Sequence, residues 1–194
     1  RYLEMKKVIV ILGQTATGKS NLAVKIALRL RSGSSTKKGG EIISADSRQV
    51  YKGLDALTGK DRSDGGAVWL YDVVQPGSEF SVAHFVRLAR SVIVDIHKRK
   101  KLPIVVGGTG FYLTALTTAI DSLAVPPNPA LRNAFHAASL ESLQQELQRV
   151  SPDRWGRMNE SDQKNPRRLI RAIEVAMSAK YIPQVRPHFD ALWI

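Results

Sequence analysis

The chain has 194 residues, and its 29 Lys and Arg against 17 Asp and Glu give a formal net charge of +12. This length suits one medium-sized domain with a small insertion, and a hydrophobic content of 43% excludes a disordered chain. No apolar run approaches the ~20 residues of a membrane helix, so we expect no membrane association. The lack of cysteine excludes disulfides and favours a cytoplasmic protein, while the positive charge favours a polyanionic partner such as nucleic acid.

The first half of the chain alternates between strand and helix patterns. Residues 8–12 form a continuous β-branched run typical of a buried parallel strand, and apolar residues then recur at helical spacing from Leu22 to Leu30. The pattern next predicts a glycine-rich loop (31–40), a strand (41–44), a loop (52–66), a strand (69–74), a helix (82–96) and a strand (103–106). This alternation predicts an α/β fold, with a P-loop NTPase-like parallel sheet flanked by helices.

The second half begins with helices alone. Asn128 and Pro129 have the pattern of an N-cap and a first helical residue, and leucines at helical spacing follow in 140–150. A further helix begins at Asn165 and Pro166, and a strand is predicted at 189–194. We therefore divide the chain into a first part of the α/β core (1–122), a helical insertion (123–164) and a return to the core (165–194). Because the last predicted element is a core strand, we expect a protein that is truncated at its C-terminus.

A phosphate-binding motif follows the first strand. The sequence matches G-x-x-x-x-G-K-[ST], with an apolar strand before it and a helix after it, over Gly13, Gln14, Thr15, Ala16, Thr17, Gly18, Lys19 and Ser20. Backbone N–H groups of such a loop point at phosphate oxygens, the lysine supplies a positive charge, and the serine hydroxyl can bind Mg²⁺. A chance match in a basic loop is the alternative. We expect a diphosphate or polyphosphate ligand and Mg²⁺ as cofactor.

Two acidic residues are candidates to act beside this loop. Asp95 follows an apolar run, as a magnesium-binding acid of a P-loop NTPase would, but it lies within the predicted helix and is interpreted as a solvated side chain. Ordinary ATP hydrolysis is thereby disfavoured. Asp46 follows the carboxyl end of the second predicted strand, and this is the edge at which parallel sheets bind ligands. Its carboxylate can be a metal ligand or a general base, or Asp46 can merely form a turn.

Four segments in register carry a family resemblance. GQTATGKS (13–20), EIISADSRQVYKGLD (41–55), LPIVVGGTGFYLTAL (102–116) and NPRRLIRAIEV (165–175) together resemble the bacterial tRNA dimethylallyltransferases, also called tRNA isopentenyltransferases. The resemblance covers nearly the whole chain. It implies an enzyme that transfers a dimethylallyl group from dimethylallyl diphosphate to N6 of the adenosine beside the anticodon of tRNA.

The resemblance also implies roles for the residues that match the family motifs. Asp46 is expected to be the general base, while Lys19 and Thr15 assist catalysis at the diphosphate and Ser20 holds Mg²⁺. The expected diphosphate-binding set adds Arg168 and Arg171 to the loop. The expected tRNA-binding set consists of Asp46, Ser47, Arg48, Gln49, Thr109, Arg132, Arg167, Arg168 and Arg171.

Other interpretations of some of these residues remain open. Thr109 also suits the N-cap of a helix, and Arg171 can form an ion pair with Glu174. The function has three alternatives: an adenylate isopentenyltransferase, a P-loop nucleotide or small-molecule kinase, and an RNA-binding module without turnover. We expect a monomer that binds the anticodon stem-loop.

Overall fold

The computed structural model describes residues 6–32, 39–60, 68–118, 120–178 and 189–194. The strands are β1 (Lys6–Leu12), β2 (Gly40–Ser44), β3 (Val68–Trp69), β4 (Leu102–Gly107) and β5 (Phe189–Trp193). The α-helices are α1 (Lys19–Ser32), α2 (Asp55–Thr58), α3 (Val82–Lys98), α4 (Gly110–Thr117), α5 (Pro129–Phe135), α6 (Leu140–Val150), α7 (Pro152–Arg157), α8 (Glu160–Gln163) and α9 (Pro166–Ser178). Most of the predicted loop 31–40, and residues 61–66 of the loop 52–66, lie outside the described residues.

The five strands form one parallel sheet in the order β3-β2-β4-β1-β5. The central strand β4 lies between β1 and β2, with Ile104 beside both Ile9 and Ile42. β1 and β4 are nearly continuous apolar runs because helices cover a parallel sheet on both faces. The predicted α/β fold with a parallel sheet flanked by helices is confirmed.

The apolar core of the sheet follows the alternation of strand residues. Ile11, Ile42, Ile104 and Val106 pack with Ala23 and Ala27 of α1. Val105 alternates with its neighbours and therefore faces the other side of the sheet. The carboxyl ends of β1, β2 and β4, with the loops that follow them, consequently lie together at one edge.

The structure corrects two predictions between β2 and α3. The strand predicted at 69–74 ends at Trp69, because Leu70 (φ 69°) and Asp72 (φ 56°) have left-handed backbone conformations that cannot continue a strand. Among the residues that the structure describes here, an isolated bridge between Tyr51 and Val74 follows instead of a continued strand. The loop predicted at 52–66 contains the one-turn helix α2, which ends at the left-handed Gly59.

The chain divides into two compact units: unit 1 combines Arg1–Ala119 with Val185–Ile194, and unit 2 is Ile120–Gln184. This differs from the predicted boundaries, which assigned α9 to the α/β core. In unit 2, Leu169 and Ile173 of α9 are buried against Leu143 and Leu147 of α6, and this contact keeps α9 among the helices. None of the helices within the described ranges combines the length and the apolar character needed to cross a membrane.

Candidate active site

The loop between β1 and α1 has the curled backbone that a phosphate-binding loop requires. Ala16 (φ 64°) and Gly18 (φ 81°) lie in the left-handed region, so the chain turns sharply before α1 begins at Lys19. The Lys19 ammonium and the Thr17 hydroxyl, the latter at 2.8 Å, both donate to the carbonyl oxygen of Gln14. The loop is therefore held in its curve by its own side chains, at the positive end of a fourteen-residue helix.

Asp46 is held in place immediately beyond β2. One oxygen of its carboxylate, Oδ1, accepts a hydrogen bond of 2.8 Å from the Arg48 backbone N–H, which fixes the direction of the side chain. The Ala45 N–H donates to the Val106 carbonyl at 2.7 Å, so the ends of β2 and β4 stay paired up to this point. A Cβ at Gly107 would lie 2.3 Å from the Ala45 carbonyl oxygen, and only glycine allows this close approach.

These segments surround one cavity of about 580 Å³ in unit 1. Lys19 and Asp46 both line it, so the loop of the G-x-x-x-x-G-K-[ST] motif and the acid face the same space. Apolar side chains complete the wall: Val24, Ile42, Leu57, Val68 and Val106. The cavity thus combines donors for a phosphate, a fixed carboxylate and an apolar surface, which suits a ligand that carries a diphosphate on a hydrocarbon group.

The structure brings together part of the predicted set in unit 1. Among the described residues, nine of those predicted to bind diphosphate or tRNA line the cavity: Thr15, Ala16, Thr17, Gly18, Lys19, Ser20, Asp46, Arg48 and Gln49. Gly13 and Gln14 support the loop without lining the cavity, and Ser47 and Thr109 are not among the lining residues. Thr109 precedes α4 at the N-cap position, but its side chain makes no capping hydrogen bond.

The other predicted arginines (Arg132, Arg167, Arg168 and Arg171) lie in unit 2, where three of them form ion pairs. Arg132 and Arg171 both bind Glu174, with shortest nitrogen–oxygen distances of 2.6 and 2.8 Å. Arg168 pairs with Asp162, and both Arg167 and Arg168 are exposed. The ion pair between Arg171 and Glu174, one of the two interpretations left open by the sequence, is present in the structure.

Glu174 is the centre of this arginine cluster. Burial of its side chain raises the pKa, but hydrogen bonds from Arg132 and Arg171 and from the Asn128 backbone N–H outweigh burial and lower the pKa to about 2. Arg171 also donates to the carbonyl oxygens of Ser122 and Val125, both at 2.6 Å. The cluster therefore has a structural role in holding unit 2 together, whatever else its arginines bind.

Sequence reasoning missed α2 as a part of this site, and with it the buried lysine that follows α2. Leu57, Thr58 and Gly59 line the cavity, and the Lys60 side chain that follows them is fully buried. A four-residue helix has no apolar periodicity to detect, and nothing in the sequence distinguishes a buried lysine from an exposed one. The one local signal in the sequence was the glycine at position 59, which ends α2 in the left-handed conformation that glycine favours.

The fold and the cavity define a class: an α/β protein with a P-loop NTPase-like sheet, in which the loop of the G-x-x-x-x-G-K-[ST] motif and a carboxylate face one pocket. A family model described as IPP transferase matches residues 49–189. The chain belongs to the IPP transferase family, which confirms the resemblance drawn from the four motifs.

Comparisons with curated proteins and with solved structures agree with this family assignment. The chain is 41% identical to tRNA dimethylallyltransferase 2 of Syntrophotalea carbinolica, over 95% of this chain and 59% of that protein. It is 44% identical to tRNA dimethylallyltransferase 2 of Trichlorobacter lovleyi, over 87% of this chain and 52% of that protein.

Among solved structures, a eukaryotic dimethylallyltransferase that acts on tRNA matches 97% of this chain and 47% of its own, with a TM-score of 0.75 and 26% identity. The tRNA isopentenylpyrophosphate transferase of Bacillus halodurans matches 97% of this chain and 59% of its own, with a TM-score of 0.58 and 31% identity. The chain spans between about half and three fifths of the length of these relatives.

Proposed function

We propose that the protein transfers a dimethylallyl group from dimethylallyl diphosphate to N6 of an adenosine in the anticodon loop of tRNA. The observation that carries the proposal is that Lys19 and Asp46 line the same cavity. Family membership and relatives named tRNA dimethylallyltransferase support the choice of donor and acceptor.

In this reaction N6 of adenosine forms a bond to C1 of the allylic group while the bond from C1 to the diphosphate oxygen breaks. An exocyclic adenine amine is a weak nucleophile because its lone pair is delocalised into the ring, so a base must take the N6 proton as the bond forms. Asp46 is assigned this role, since it lines the cavity and its carboxylate is held by the hydrogen bond from the Arg48 N–H. Electron density moves to the departing diphosphate.

The phosphate-binding loop stabilises the charge that develops on the leaving group. Lys19, the loop N–H groups and the N-terminus of α1 are fixed before the reaction, so they lower the barrier without rearrangement. Thr15 lines the cavity at the same loop and is assigned to the oxygen that bridges donor carbon and phosphorus.

Mg²⁺ fits this site through oxygen ligands. In the described parts of the chain no three His, Asp or Glu side chains come together as a metal cage. The Ser20 hydroxyl lines the cavity beside the loop, and Mg²⁺ commonly binds through few protein oxygens together with phosphate oxygens of the substrate. When bound, the ion would neutralise charge on the diphosphate, with Ser20 as its protein ligand.

The proposal is tested with radiolabelled dimethylallyl diphosphate and an unmodified anticodon stem-loop, followed by nucleoside analysis. We expect label on N6 of adenosine, and its loss in Lys19→Met. Lys25→Met is the matched control, because Lys25 is an exposed cation of the same helix that does not line the cavity.

Parallel reactions with free AMP as acceptor or labelled ATP as donor, and a titration of stem-loop binding, separate the alternatives. Label on free AMP but not on the stem-loop would establish an adenylate isopentenyltransferase, and phosphate transfer from ATP without prenyl transfer would establish a kinase. Stem-loop binding without any transfer would reduce the chain to an RNA-binding module.

A further inference from the structure

The turn that carries α2 forms one side of the cavity and is fixed by unusual contacts. We call residues 55–60 the α2 lip. Leu57, Thr58 and Gly59 of the lip line the cavity, although α2 itself has no buried residue. A one-turn helix without a buried side chain is not stable by itself, so other contacts must hold the lip in place.

The first of these contacts is the Lys60 side chain. Its ammonium donates to the Tyr51 carbonyl oxygen and to Oδ1 of Asp72, both at 2.6 Å, and lies 3.3 Å from Oδ1 of Asp55. A fully buried ammonium is tolerated only where it is paired and hydrogen-bonded, as it is here. Lys60 therefore ties the lip to the two chain segments that follow β2 and β3.

The second contact is the Gln49 side chain. Its amide oxygen accepts from the Ser44 hydroxyl at 2.6 Å, and its amide nitrogen donates to the carbonyl oxygens of Thr58 and Gly59 at 3.1 and 3.2 Å. The oxygen and both N–H groups of the amide are thus engaged within the protein. Gln49 therefore links the end of β2 to the lip.

The lip presents one large apolar side chain to solvent. Leu57 is 81% exposed, the highest exposure among the large hydrophobic residues described, and it lines the cavity. A small donor can enter the cavity completely, whereas a nucleobase on an RNA must come in from solvent. A leucine at the exposed side of the cavity is therefore placed to contact the acceptor.

We propose that the α2 lip is a preformed recognition element for the acceptor nucleobase, with Leu57 as the contact residue and Lys60 as the positioning residue. The inference rests on the proposed function for the identity of the acceptor. Contact with the face of an adenine would bury the Leu57 side chain. Because the lip is already rigid, less conformational entropy would be lost on binding.

The test measures two affinities in each variant: that for the anticodon stem-loop, by fluorescence titration, and that for inorganic diphosphate, by calorimetry. For Leu57→Ala and Lys60→Met we expect stem-loop affinity to fall about tenfold, with diphosphate affinity unchanged within about twofold. Leu192→Ala is the control for Leu57→Ala, because Leu192 is an exposed leucine outside the cavity. Lys101→Met is the control for Lys60→Met, because it removes another ion pair of unit 1, the pair between Lys101 and Glu41.

Unchanged stem-loop affinity in Leu57→Ala, or an equal loss of diphosphate affinity, would overturn the proposal. Because Leu57 is exposed, its truncation does not threaten folding, so the proposal stays testable even if Lys60→Met does not fold. If the wild-type chain binds the stem-loop but transfers no label, the proposed transferase activity fails while the lip is still judged by the two affinities. A wild-type chain that binds no stem-loop contradicts the lip itself.

Discussion

Replacement of Glu174 by Gln tests whether the arginines of unit 2 form a structural cluster. The Glu174 side chain is fully buried and accepts hydrogen bonds from the Asn128 N–H (2.9 Å), from two nitrogens of Arg132 (2.6 and 3.1 Å) and from Arg171 (2.8 Å). Glutamine keeps the size of the side chain but removes its charge. The substitution therefore isolates the charge that faces the two arginines.

The magnitude follows from the pKa of Glu174, which is lowered from 4.5 to about 2 in the folded protein. A gap of that size corresponds to about 3 kcal/mol of folding free energy at pH 7. Since the folded pKa lies below the unfolded one, this stabilisation is complete above pH 4.5 and is lost as the pH falls toward 2. We expect Glu174→Gln to lower the free energy of unfolding by about 3 kcal/mol at pH 7, and by progressively less below pH 4.5.

Urea unfolding at pH 7 and at pH 3, followed by circular dichroism, measures both effects. Glu146→Gln is the control: it also removes a carboxylate that pairs with an arginine in unit 2, but its partner Arg149 is largely exposed. We expect little change in that variant. A Glu174→Gln protein as stable as the wild type at pH 7, or a difference that does not shrink in acid, would refute the cluster.

Two further substitutions test the backbone around the site and in unit 2. In Gly107→Ala the new Cβ would lie 2.3 Å from the Ala45 carbonyl oxygen, so the end of β2 before Asp46 must move, and we expect prenyl transfer to be lost in the label-transfer assay. Gly110→Ala is the control, because a Cβ at Gly110 meets nothing within 4 Å, and we expect it to keep its activity. Equal activity of the two variants would contradict the close-approach argument. The Asn165 side chain accepts hydrogen bonds at the start of α9, so Asn165→Ala should lower the free energy of unfolding by about 1 kcal/mol in urea titrations, and an unchanged value would contradict the cap.

The sequence was most informative where one local pattern determines the structure. The run 8–12 and the motif that ends at Lys19 and Ser20 required a strand, a curled loop and a helix, and the structure contains all three. Asp46 could be placed at the ligand-binding edge because it follows a strand of a parallel sheet. Each of these inferences depends on neighbours within a few residues.

Long-range contacts decided the features that sequence reasoning missed. Residues 70–74 have the composition of a strand, but the backbone turns at Leu70 and Asp72, and the Asp72 side chain binds Lys60. The apolar stripe of α9 suits packing against either a sheet or another helix, and only the three-dimensional structure shows that it packs against α6. Periodicity reports which face is buried, not which element covers it.

The proposed reaction requires one cavity in which Lys19 binds the diphosphate and the Asp46 carboxylate takes a proton from an adenine amine. The most direct measurement is the rate of label transfer to the stem-loop and the affinity for inorganic diphosphate in Asp46→Ala, with Asp95→Asn, an acid on α3 that pairs with Arg99, as control. We expect transfer to fall by at least about 100-fold in Asp46→Ala while diphosphate affinity stays within about twofold of the wild-type value. Transfer at the wild-type rate, or an equal loss of transfer and diphosphate binding, would contradict the proposed reaction.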